Sequence, residues 1–90
     1  MNTTLHIVSK PSSSSDALER CLSCSQPGDV VLLIEDGVYS DTSQLDNKVT
    51  FLRLAEDCRA RGVNISLESA VDYSGFVELV AAHSQSCSWF

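Results

Sequence analysis

Basic residues are scarce in this chain: six lysines and arginines stand against twelve aspartates and glutamates, for a net charge of −6. Such a balance repels a phosphate backbone, so direct nucleic-acid binding by this chain alone is not expected. Long hydrophobic runs are missing as well. The longest, Val30 to Ile34, is far too short to cross a bilayer, and Met1-Asn2-Thr3-Thr4 has no basic cluster leading into an apolar stretch. The expectation is a cytoplasmic protein with no membrane segment. The four glycines form no phosphate-binding loop and no nucleophile elbow. A second Cys-x-x-Cys is lacking, as is a histidine pair at ligand spacing, so the four cysteines and two histidines complete no tetrahedral zinc site.

What is present suffices for one core. With 90 residues and 43 % hydrophobic content, the chain encloses a single domain, residues 1–90, and cannot be divided into two. A domain this small gains from association, and self-association is expected when it stands alone. In a reducing compartment Cys21, Cys24, Cys58 and Cys87 are free thiols, each to be explained by burial or by reactivity.

Thr4 to Val8 is a first strand, ended by Lys10-Pro11. Ser12 to Ser15 is a loop feeding a helix. Asp16 and Glu19 have the spacing of a capping box, and Ala17, Leu18, Cys21 and Leu22 make an apolar stripe that ends near Ser25. Asp29 to Ile34 is apolar without alternation, as in a strand covered on both faces of a parallel sheet. Glu35-Asp36-Gly37 is the turn out of it, and Val38 to Asn47 a mostly polar loop with room for one helical turn. Val49 to Leu52 is a third strand, Ala55 to Arg61 a helix stopped by Gly62, and Val63-Asn64-Ile65 a minor fourth strand. Asp72 caps a last helix carrying Phe76, Val77, Leu79 and Val80, and Gln85 to Phe90 closes the sheet. The sum is a single-domain α/β sandwich of three layers with a mostly parallel sheet. In such sheets ligands gather at the carboxyl ends of strands, which singles out the Lys10–Ser15 and Glu35–Tyr39 loops.

Cys21-Leu-Ser-Cys24 has the spacing of a redox dithiol. A reactive first cysteine belongs at a helix N-terminus, where the dipole lowers its pKa, whereas here both cysteines lie deeper in the helix. A stand-alone thiol oxidoreductase is therefore disfavoured, and packing is the competing account of both residues. Glu35 and Asp36 are adjacent and would point to opposite faces of a strand, so a turn role suits them better than paired acid–base work. His6 lies in a strand expected to be buried and His83 near a helix C-terminus; neither has a nucleophile beside it in sequence.

Leu5-His6-Ile7-Val8-Ser9-Lys10, Leu18-Glu19-Arg20-Cys21-Leu22 and Gly28 through Tyr39, with its Leu-Ile-Glu-Asp-Gly-Val-Tyr block, together resemble the DsrH/TusB family. The resemblance resumes at Leu54 through Gly62 and at Val71-Asp72-Tyr73-Ser74-Gly75-Phe76-Val77, and takes in Trp89. It implies a flavodoxin-like subunit of a sulfur-relay complex, joined with two related subunits, DsrE/TusD-like and DsrF/TusC-like, in a heterohexamer. Such a complex passes persulfide sulfur between protein thiols to a downstream acceptor protein, for tRNA 2-thiouridine synthesis or dissimilatory sulfur oxidation. No metal or organic cofactor is implied. Cys21 falls where some members carry a cysteine on the first helix, and is the candidate catalytic thiol; the alternative is a purely structural subunit. The chain departs from the family pattern at Pro11 to Ser15 and is short between Tyr39 and Val49.

Overall fold

The computed structural model describes residues 3–42 and 48–89. Five strands form one all-parallel sheet: β1 (Thr4–Val8), β2 (Val30–Leu33), β3 (Thr50–Leu54), β4 (Ala70–Val71) and β5 (Gln85–Trp89), in the order β4-β3-β2-β1-β5. Three helices connect them, α1 (Ala17–Cys24), α2 (Ala55–Arg61) and α3 (Tyr73–Ala82). This is the flavodoxin-like sandwich expected from the sequence. From β1 to β4 the chain steps across the sheet in one direction, and from β4 it returns to pair β5 with the far side of β1. Right-handed crossovers therefore put α1 and α2 on one face and α3 on the other.

The larger core lies on the α1/α2 face. Val8, Val31 and Leu33 from the strands meet Ala17, Leu18 and Cys21 of α1, Cys58 of α2, and Val38 and Val49, with Phe51 and Trp89 packed against them. Side chains of the opposite strand parity, Leu5, Leu32 and Leu54, are buried outside that cluster. The α3 side is thinner, since α3 has no fully buried residue.

The helix ends differ in how they are made. Asp72 accepts a hydrogen bond from the Gly75 N–H at 2.8 Å, the expected cap of α3, and Gly62 takes the left-handed conformation (φ 68°) that stops α2. Asp16 makes no side-chain cap on α1. Its carboxylate pairs with Arg20 instead, and Ser15 Oγ accepts from the Ala17 N–H. The fourth strand is Ala70–Val71, not Val63-Asn64-Ile65. Val63 ties its N–H to the Cys58 carbonyl, extending the end of α2, and Val63 and Ile65 plug the core beside it. Part of the expected Val38–Asn47 loop and Phe90 lie outside the described residues.

Candidate functional site

At the carboxyl ends of β1 and β2 the chain makes a tightly wired corner. After β2, Glu35–Tyr39 forms a 3₁₀ turn rather than a simple bend. The Ile34 N–H donates to the Val8 carbonyl, and Gly37 lies so close to Val8 that a Cβ there would collide with its carbonyl oxygen. Glycine is thus a steric requirement of the Leu-Ile-Glu-Asp-Gly-Val-Tyr block. Ser40 Oγ accepts from the Ser12 N–H, joining this turn to the serine loop, while Arg53 donates to the carbonyls of Val38 and Ser40. Glu35 adopts a left-handed backbone (φ 48°) and its N–H donates to Asp57. Asp36 and Asp57 share Arg61, whose guanidinium is held further above its ordinary pKa first by the Asp36 hydrogen bond. The two loops singled out by sequence are therefore in contact.

Cys21 is not with them. Because α1 runs back from the carboxyl end of β1, Cys21 and Cys24 occupy its last turn, where the helix dipole does not favour a thiolate. Cys21 is 0 % exposed, and burial pushes its pKa from 9.0 to about 11; a weak contact with Ser25 opposes this, while Cys87, Cys24 and Asp29 add to it. Cys58 is likewise buried and its thiol raised by burial. Cys24, on the outer side of α1, and Cys87, on β5, are exposed.

Beneath α1 lies a polar cluster that sequence reasoning did not connect. His6, buried in β1, has its Nε2 2.9 Å from Asp29 Oδ2, and its Nδ1 accepts from the Trp89 indole N–H at 3.1 Å. An indole nitrogen only donates, which places the imidazole proton on Nε2, donated to Asp29. Asp29 also accepts from the backbone N–H groups of Thr4 and Gln26. Burial acts to raise its pKa, but these donors outweigh it and hold the carboxyl below its usual value. The only foretaste in the sequence was a histidine in a buried strand; its partners lie 23 and 83 residues away.

The chemical consequence is sharp. With both imidazole nitrogens engaged, His6 has no lone pair left to take a proton from Cys21, so the nearby carboxylate–imidazole pair is not an activating base. Glu35 and Asp36 sit at the opposite end of the sheet, in the turn role expected of them. Among the described residues, no three His, Cys, Asp or Glu side chains converge on a point that could hold a metal ion, and no helix is long and apolar enough to cross a membrane.

Comparison with protein families gives a match between residues 11–86 and the model described as DsrH like protein. No curated protein matches the chain.

Proposed function

Because the chain belongs to the DsrH-like family, which suggests a subunit of a sulfur-relay complex, we propose that its own part in that relay is to support partner subunits whose thiols carry the sulfur. The observation behind this reading is the state of Cys21. A thiol pushed to about 11 is ionised in only about one copy in ten thousand at neutral pH, and at 0 % exposure it meets no donor. The proposed partners are the two related subunits, DsrE/TusD-like and DsrF/TusC-like, in a cytoplasmic heterohexamer feeding a downstream acceptor, in either tRNA 2-thiouridine synthesis or sulfur oxidation. The exposed apolar stripe Tyr73, Val77 and Val80 on α3 supports an assembled state. The net charge of −6 supports leaving any tRNA contact to the acceptor.

A second reading, in which Cys21 carries sulfur itself, is favoured by its place in the last turn of α1 beside exposed Cys24. A partner that displaced this turn would let the Cys21 thiolate attack the outer sulfur of a persulfide, taking that sulfur and releasing the donor as a thiol. The deciding experiment loads the assembled complex with sulfur from a cysteine desulfurase or polysulfide and compares persulfide labelling for wild type, Cys21→Ser and Cys24→Ser. Unchanged labelling and transfer with Cys21→Ser in an intact complex is the outcome expected for the supporting role. Loss of both, with Cys24→Ser unaffected, would overturn it in favour of the second reading.

A further inference from the structure

The two edges of the sheet are finished differently. β4 is only two residues long, and shortness is one of the ways a sheet edge avoids pairing with another chain. β5 is five residues long, pairs among the described residues only with β1, and exposes Gln85, Ser86, Cys87 and Ser88. Its sequence contains no charge, proline or glycine, the devices that ordinarily keep an edge from pairing.

We propose that β5 is a seam at which two copies of this chain join their sheets edge to edge, antiparallel, about a two-fold axis through Cys87. An isologous contact requires a surface complementary to itself, and the strand has that property. With Cys87 on the axis, Ser86 faces Ser88 of the second copy and Gln85 faces Trp89, so the small polar residues meet in a Ser-Cys-Ser palindrome. Charge selects the same place. Each copy carries −6, yet β5 contributes none of it, so the backbones can approach without setting carboxylates against one another. By strand alternation Cys87 lies on the same side as its register partner His6 and as Trp89, the α1 side. A two-fold axis perpendicular to the sheet keeps both α1 layers on that one side and yields a continuous sheet of twice the width.

The register supplies its own reporter, because residues directly opposite in an antiparallel pair have Cα atoms about 4.5–5.5 Å apart, within the span of a disulfide. The experiment treats the full chain with diamide, which accepts the two hydrogens of a pair of thiols as the sulfur–sulfur bond forms and is reduced to the hydrazine. Sedimentation of untreated protein accompanies it. The expected result is a covalent dimer in wild type and Cys24→Ser but not in Cys87→Ser, while untreated Cys87→Ser still sediments at twice the mass of one chain. Ser86→Lys and Ser88→Lys, at exposed positions, should lose both dimers while keeping the wild-type far-ultraviolet circular dichroism of a folded chain, whose melting then no longer depends on protein concentration; Val77→Lys on α3 should keep both. A chain that stays monomeric through millimolar concentration, a dimer linked through Cys24, or a dimer indifferent to both lysine substitutions would each overturn the seam.

Discussion

Cys21 and Asp29 are both shut away from water, and their titrations act on the fold at opposite ends of the pH scale. Cys21 is raised from 9.0 to about 11, so the folded chain holds its proton where the unfolded chain has released it. Stability is then complete below pH 9 and falls as pH climbs toward 11, by about 2–3 kcal/mol from this group. Cys21→Ala should flatten that part of the alkaline unfolding profile, and native thiol titration should show Cys24 and Cys87 reacting fast while Cys21 and Cys58 wait on opening of the fold. Asp29 is the mirror case, since its depressed pKa favours the ionised form in the folded chain. Its contribution is present above the ordinary carboxylate value, about pH 3.9, and is lost as pH falls through the lower folded value. Asp29→Ala strands His6 and the Thr4 and Gln26 N–H groups, and should cost about 3 kcal/mol or more at neutral pH. Urea denaturation at pH 7 and near pH 3 would check this, the gap between variant and wild type narrowing in acid. The helical spacing of Cys21 already placed it on an inner stripe. The Asp29–His6–Trp89 chain could not be read that way, because no local pattern links an acid before one strand to an indole on another.

Helices and long strands announced themselves through periodicity or through unbroken apolar runs, which is why β1, β2, α2, α3 and β5 lie within a residue or two of where the sequence put them. A strand of two residues has no period, and Ala70–Val71 was invisible beside the more convincing Val63-Asn64-Ile65, whose alternating side chains serve the core without joining a ladder. The capping-box spacing at Asp16 failed for a related reason: a nearby guanidinium offered its carboxylate a charged partner in place of the backbone. The 3₁₀ turn after β2 was legible as a turn, but its steric tightness was not. Gly37→Ala tests that tightness. The added carbon would meet main-chain atoms of β1, which cannot swing aside as a side chain could, so a loss of about 1–3 kcal/mol is expected in thermal or denaturant unfolding. Gly62→Ala, with open space around its Cβ position, should show only the smaller strain of its backbone conformation.

For the molecule as a whole, the two faces of the sheet are unequally covered. Among the described residues, one has two helices and most of the core; the other has α3 alone, with Val77 68 % and Tyr73 56 % exposed. Val77→Lys should leave the melting temperature of the isolated chain nearly unchanged, within about 0.5 kcal/mol, yet weaken co-purification with the partner subunits proposed above. Full retention of that complex would show that α3 is not a partner surface. The chain's net charge and lack of long apolar runs were readable at once, whereas this asymmetry became visible only with the crossover directions. One feature of the topology reaches beyond the finished fold: β1 is held between β2 and the last strand, and Thr4 meets Gln85 from 81 residues away. A chain emerging from a ribosome therefore keeps one flank of its first strand bare until nearly all of the domain has been made. Contacts of such long sequence separation slow folding. Because the single tryptophan docks on His6 at that closure, its fluorescence during refolding times the moment when the first and last strands meet.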